Sequence, residues 1–283
     1  MTSFQDKSDA ASRAFKLERL RAALRKLGSA AVAFSAGVDS TFLLRVAHEE
    51  LGERAVAVTV RSPLIPRREL EDAADFCRAG GIRHDFIDFD ELSMPEFASN
   101  PPDRCYHCKK AIFRKIIEFS HANELKAVLE GSNTDDDGDY RPGRRAIREL
   151  GVLSPLHDAG LTKAEIRALS KKLGLPTADK PSFACLASRF PYGEQITTEG
   201  LERVERAEQH LMDLGFGQVR VRSHGDMARI EVPPDDIPRL AAHAAEISAS
   251  FKRFGFAYAT LDLQGYRTGS LNETLTKAEK QMA

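Results

Sequence analysis

Nowhere does this 283-residue sequence offer eighteen uninterrupted apolar residues, and its beginning, MTSFQDKSDAASRAFKLERL, lacks the apolar centre of a signal peptide. Neither a membrane partner nor secretion is expected, and the expected setting is cytoplasmic. An excess of one charge is also missing: 41 Lys and Arg stand against 42 Asp and Glu, a net charge of −1. That balance disfavours a broad nucleic-acid footprint and points to small polar or nucleotide substrates. Cysteine is scarce, with only Cys77, Cys105, Cys108 and Cys185. In a reducing compartment these read as buried, metal-binding or catalytic thiols rather than disulfides. Neither G-x-x-x-x-G-K-[ST] nor G-x-G-x-x-G occurs, so the Walker A and dinucleotide fingerprints are excluded. Internal repeats and low-complexity segments are absent, and the last dozen residues read as a frayed tail.

The apolar fraction, 42%, is that of an ordinary globular protein, and the length allows two domains. From Ala30 to about Leu175, strand-like runs (Ala30 to Phe34, Ala55 to Val60, His84 to Phe89, Ala127 to Glu130) alternate with helix-like ones (Thr41 to Ala47, Arg67 to Ala79, Lys109 to His121, Thr162 to Leu173). TKAE, Thr162 to Glu165, has the spacing of a capping box. Alternation of this kind predicts an α/β fold, a mostly parallel, doubly wound sheet whose ligands sit beyond the carboxyl ends of the strands. Later the order becomes helix (Thr198 to Leu214), two strands (Gln218 to Arg222, Ala228 to Val232), helix (Asp236 to Phe254) and strand (Ala257 to Leu263), a smaller α+β domain. The expected division is 1–180, a linker 181–196 bearing Cys185, and 197–283.

FSAGVDST, residues 34 to 41, lies between the first strand and its helix. Such a turn presents free amides and the positive end of a helix dipole to a phosphate, and Asp39 could hold magnesium. At the end of the fourth strand, EGSNTDDDGDYRPGRR gathers Asn133, Asp135, Asp136 and Asp139 before Arg141, Arg144 and Arg145. Carboxylates so close repel unless solvated or bound to a cation, while guanidinium groups suit phosphate or carboxylate. RCYHCKK puts Cys105 and Cys108 in C-x-x-C spacing before a predicted helix, which fits a zinc knuckle, a redox pair or two unlinked buried thiols. Cys185, with Arg189 four positions on, reads either as an activated nucleophile or as core; Cys77, inside a helical run, reads as core.

Taken together these stretches resemble the PP-loop ATP pyrophosphatase superfamily, whose S-G-G-x-D-S signature is matched by Ser35, Gly37, Asp39 and Ser40, with Ala36 departing at the first glycine. Within it the chain is similar to the LarE family of sulfur transferases, on AFSAGVDST, PDRCYHCK, GSNTDD, YRPG, ACLASRFPYG and VRVRSHGDMARIEV, in that order. The resemblance implies that ATP and Mg²⁺ bind at Ser35, Ala36, Gly37, Val38, Asp39 and Ser40, bordered by Asn133, Asp135 and Asp136. It implies a substrate, pyridinium-3,5-biscarboxylic acid mononucleotide, whose carboxylates are adenylylated and become thiocarboxylates in building a nickel-pincer nucleotide cofactor. Cys185 would supply or carry the sulfur with Arg189 and Glu208. Tyr106, Ser188, Arg189, Arg220, Arg222 and Glu231 would line the substrate side, Tyr106 facing the pyridinium ring.

Family members with three cysteines hold a [4Fe-4S] cluster bearing an extra sulfide, so Cys105, Cys108 and Cys185 are expected as cluster ligands; members with one sacrifice the counterpart of Cys185. A homo-oligomer, trimer or hexamer, is expected on the same ground. Two other readings stand beside it. A PP-loop tRNA thiolase would need a basic RNA surface, which the charge balance disfavours. A non-enzymatic zinc or iron–sulfur protein would use the C-x-x-C structurally.

Overall fold

The computed structural model describes residues 4–138 and 142–276. Asp139, Arg141 and the end of the C-terminal tail lie outside the described residues. The chain forms two compact units. One comprises Met1–Arg61, Arg67–Phe89 and Tyr106–Ser182; the other comprises Ser62–Pro66, Asp90–Cys105 and Phe183–Ala283.

In the first unit a long helix α1 (Phe4–Leu27) precedes β1 (Ala30–Ala33), α2 (Val38–Leu51), β2 (Ala55–Arg61), α3 (Arg67–Gly80) and β3 (His84–Asp88). After a short helix α4 (Pro95–Ala98) that counts with the second unit come the helix α5 (Arg104–Ala122), β4 (Val128–Leu129), α6 (Gly143–Glu149), α7 (Pro155–Asp158) and α8 (Lys163–Lys172). The sheet order is β3-β2-β1-β4, all parallel, with Ala30 beside Ala55 and Val32 beside both Ala57 and Leu129. Ala-Val-Ala-Val-Thr-Val in β2 is buried throughout, as a parallel strand covered on both faces requires. Phe42, Leu43 and Val46 of α2, Leu20 and Leu24 of α1, and Ile166 and Leu169 of α8 close the core around β1. The predicted α/β architecture is present, with each βα turn opening at the carboxyl end of its strand.

The second unit contains α9 (Thr198–Asp213), β5 (Arg220–His224), β6 (Met227–Glu231), α10 (Ile237–Ala242), α11 (Ala244–Arg253) and β7 (Tyr258–Leu261). β5 and β6 form a hairpin through Gly225, at φ 57, and β7 adds in parallel to β6. The predicted small sheet is therefore present. The helix expected over 236–254 is two helices, because His243 breaks the α pattern by bonding to Leu240 O, three residues back.

Candidate active site

β1 stops at Ala33 and α2 starts at Val38, so Ser35, Ala36 and Gly37 form the turn while Val38, Asp39 and Ser40 are the first turn of the helix. The first bond inside α2 runs from Thr41 N to Gly37 O at 2.9 Å. The amides of Val38, Asp39 and Ser40 come before it and have no acceptor within the helix. Ser40 Oγ ties the turn, donating to Gly37 O at 3.2 Å, accepting from Ser35 N at 3.3 Å and lying 3.1 Å from Ser35 Oγ. Ala36 is buried and sits at φ 53, in the left-handed region that glycine enters freely. The methyl group costs roughly 1 kcal/mol there, and the turn keeps its course nonetheless.

Asp39 is the most heavily engaged residue of this turn. Lys163 Nζ, at the start of α8, forms an ion pair with Asp39 Oδ2, and Asn133 Nδ2 donates to Oδ1 at 3.4 Å. Burial pushes the Asp39 carboxyl up, Lys163 opposes it and the nearby Asp136 adds to it. Asn133 is itself fixed: its amide donates to Asp136 Oδ2 at 2.9 Å and its Oδ1 accepts from Asp135 N at 3.0 Å. Asp135 in turn accepts from Lys163 N at 2.9 Å. The loop after β4 approaches α2 so closely that a side chain at Gly131 would meet Ser40 N at 3.1 Å. The structure thus brings together every sequence-predicted nucleotide residue, in the first unit.

The second unit gathers the remaining charged candidates. Arg189, fully buried, donates from Nε and Nη2 to the two oxygens of Glu208, each at 2.8 Å. Its Nη1 reaches Ala184 O (2.8 Å), Cys185 O (3.2 Å) and Ser188 Oγ (2.8 Å). Burial weighs against charge on Glu208, yet Arg189 outweighs it and holds the carboxyl below its usual range. Arg222 repeats the motif on β5, donating to both oxygens of Glu231 (2.9 and 2.8 Å) and to Ser188 O (2.6 Å). Arg220 lies between the rings of Phe183 and Tyr266, 5.5 and 5.2 Å from their centroids. Burial first, then the like charge of Arg189, push Arg220 down to about 10, still cationic at neutral pH. Arg189 and Arg222, each held by a glutamate, thus bond to the main chain on either side of Cys185, whose side chain is exposed.

Cys105 and Cys108 lie in the first turns of α5, which starts at Arg104 rather than at Lys109. Among the described residues no group of three or more His, Cys, Asp or Glu side chains could hold a metal ion. An iron–sulfur cluster at Cys105, Cys108 and Cys185 therefore finds no support among the described residues. Magnesium is a different case, since it is held by one or two carboxylates together with substrate phosphates, a role open to Asp39. Tyr106 already has a cation on its ring: Arg145 lies 3.8 Å from the centroid, while the hydroxyl donates to Glu149 at 2.7 Å. Among the described residues no helix is long and apolar enough to cross a membrane.

Lys163 was missed in the sequence. It follows the Thr162 cap directly, and a lysine at the start of a capped helix beside an acidic βα turn is the signal that could have found it.

No protein-family model matches the chain. Over 270 residues it is 38% identical to the pyridinium-3,5-bisthiocarboxylic acid mononucleotide synthase of Lactiplantibacillus plantarum, covering 95% of this chain and 98% of that one. An uncharacterized protein of Synechocystis sp. is 46% identical over 264 residues, 93% of this chain and 98% of its own. The NH(3)-dependent NAD(+) synthetase of Aeropyrum pernix is 29% identical over 164 residues, 52% of this chain and 55% of its own.

Proposed function

Because the chain belongs to the family of the pyridinium-3,5-bisthiocarboxylic acid mononucleotide synthase, the LarE family, we propose that it is an ATP-dependent sulfurtransferase making thiocarboxylates on a pyridinium biscarboxylic mononucleotide. The observation that carries this reading is likeness to that synthase along nearly the whole of both chains. The phosphate turn in the first unit and the arginine–glutamate core behind Cys185 in the second support it.

In this reading the amides of Val38, Asp39 and Ser40 receive the ATP phosphates; Asp39 would hold magnesium, which would neutralise phosphate charge, and Lys163, its present partner, would reach a phosphate oxygen. A substrate carboxylate oxygen attacks the α-phosphorus, pyrophosphate leaves, and the carboxyl becomes an acyl adenylate. The sulfur of Cys185 attacks that carbonyl carbon and AMP departs with the oxygen. β-Elimination then completes the transfer: a base takes the Cα proton of residue 185, the Cβ–Sγ bond breaks with its electron pair passing to sulfur, and the product leaves as a thiocarboxylate with dehydroalanine at position 185. Arg220 and Arg222 hold the anionic groups of the substrate, Glu231 and Glu208 orient the arginines, and Arg189 with Ser188 fixes the Cys185 carbonyl.

The test incubates the protein with ATP, Mg²⁺ and the biscarboxylated pyridinium mononucleotide. Expected products are AMP, pyrophosphate and a thiocarboxylate, all abolished in Asp39→Ala, with the thiocarboxylate alone abolished in Cys185→Ala. ADP and phosphate as products, or sulfur transfer by Cys185→Ala, would overturn the reading. Peptide mass at position 185 after turnover identifies the sulfur: loss of the mass of hydrogen sulfide marks Cys185 as donor, and an unchanged mass marks it as a relay.

A further inference from the structure

The Cys185 side chain is exposed, yet the peptide that follows it is held at both of its polar atoms. The Cys185 carbonyl accepts from Ser188 Oγ at 2.9 Å and from Arg189 Nη1 at 3.2 Å. Across the same peptide bond, Leu186 N donates to Leu64 O at 2.9 Å. A peptide is planar, so holding its oxygen and its nitrogen together restricts the direction in which the cysteine side chain leaves the backbone. One side of this hold is the buried Arg189; the other is a carbonyl in the short stretch 62–66, which belongs to the same unit.

That stretch takes its shape from a second network. Ser62 Oγ accepts from Leu64 N at 3.0 Å and donates to Glu91 Oε2 at 2.6 Å, while Ser62 O accepts from Ile65 N at 3.1 Å. A serine hydroxyl rotates to suit its neighbours, and a carboxyl oxygen that takes its proton leaves a lone pair for the Leu64 amide. Ser62, Leu64, Glu91 and Leu186 are all buried, Glu91 to 1% exposure. Burial holds the Glu91 carboxyl above its ordinary range, with the Ser62 hydroxyl opposing. A carboxyl and a hydroxyl paired in the interior add little net stability, since apolar groups of the same shape serve about as well. What they add is direction, and the Leu64 peptide receives it.

We propose that Ser62 and Glu91 are positioning residues for the sulfur chemistry: by fixing the Leu64 peptide they present its carbonyl to the Leu186 amide and so aim the side chain of Cys185. The inference rests on the reading that Cys185 serves sulfur transfer. Each link is a hydrogen bond inside the second unit, from Glu91 to Ser62, from Ser62 to Leu64 and from Leu64 to Leu186.

The experiment follows hydrogen–deuterium exchange of the full-length protein, without ATP or substrate, resolved to the Leu186 amide by overlapping peptides. Slow exchange is expected there in the wild type. Ser62→Ala removes the acceptor for Leu64 N, and Glu91→Leu removes the acceptor for the hydroxyl. Each should speed exchange at Leu186 by about tenfold, the effect of roughly one net hydrogen bond, while the amides of β5 keep their wild-type rates. Glu91→Gln retains an acceptor for Ser62 and should exchange like the wild type. In Ser62→Ala and Glu91→Leu kcat should fall by a similar factor with the KM for ATP unchanged, and Glu91→Gln should keep it. Circular dichroism verifies folding, and if one of the two variants is unfolded the other carries the test. Fast exchange of Leu186 in the wild type, a folded variant with wild-type exchange at Leu186, or one in which β5 loosens as much as Leu186 would overturn the proposal. Exchange needs no turnover, so a wild-type failure to form thiocarboxylate counts against the proposed function alone.

Discussion

Arg189 and Glu208 form a fully buried, two-pronged ion pair, and such a pair matters chiefly through what remains when half of it is removed. Glu208→Gln leaves the guanidinium in the interior without its charge partner and should destabilise the protein by about 3–5 kcal/mol, read by urea unfolding at neutral pH. The pH dependence has a definite sign. Glu208 is held below the ordinary carboxylate range by Arg189, against burial, so its contribution is complete above that range and is lost as pH falls through the folded value. Stability curves from pH 7 downward should therefore show an acid-dependent loss that Glu208→Gln lacks; identical slopes in the two proteins would count against it. Cys77 gives a contrasting case, because burial pushes its thiol up to about 12, leaving it inert to a thiol reagent until the chain unfolds, while the exposed Cys185 is open to reagent. Sequence made Cys77 legible as core, since it lies within a helical run. It did not reveal the burial of Arg220 and Arg222. Alternation put both on one face of a strand, where charged side chains are usually solvated; of the groups that allow Arg222 to be buried, Glu231 lies across the hairpin and the Ser188 carbonyl is distant in sequence.

At the scale of elements, α8 sets Lys163 against Asp39. The Thr162 side chain accepts from Glu165 N at 3.2 Å, and Glu165 Oε2 accepts from Thr162 N at 3.0 Å, the reciprocal capping box read from TKAE. Thr162→Ala removes one half of it and should cost about 1 kcal/mol, with Thr162→Ser close to wild type. Fraying of that first turn should also loosen Lys163, weakening binding of a non-hydrolysable ATP analogue more than a cap mutation at α9 (Thr197→Ala) does; equal effects of the two caps would show that α8 has no special part in the phosphate site. The α5 boundary was less legible. Its start at Arg104 was obscured by the cysteines, although Pro101, Pro102 and Asp103 are the residues that commonly open a helix. Likewise α1 went unread, though Leu17, Leu20, Leu24 and Leu27 recur at helical spacing and Leu20 and Leu24 are fully buried. Its surrounding charges masked the stripe.

For the whole molecule, the order of strands and helices was readable because parallel strands and amphipathic helices differ in period. What linear order does not reveal is that 62–66 and 90–105, which leave the carboxyl ends of β2 and β3, count with the second unit; their bonds to distant partners, such as Leu186 N to Leu64 O at 2.9 Å, carry no local pattern. The division has a measurable consequence. The phosphate turn belongs to the first unit and Arg220 to the second, so a ligand that binds one should stabilise the protein independently of the other. At a hundredfold excess over its dissociation constant, a ligand that binds only the folded state adds about 2.7 kcal/mol. A non-hydrolysable ATP analogue with Mg²⁺ should raise the melting temperature accordingly. Asp39→Asn should abolish that rise, because the variant lacks the carboxylate charge for magnesium, while its folding is not impaired by a carboxyl that burial already drives upward. Arg220→Lys, retaining a cation between Phe183 and Tyr266, should leave the rise intact and instead weaken use of the pyridinium mononucleotide. An equal loss of the ATP-dependent shift in both variants would mean that nucleotide and substrate do not divide between the two units as their charged residues do.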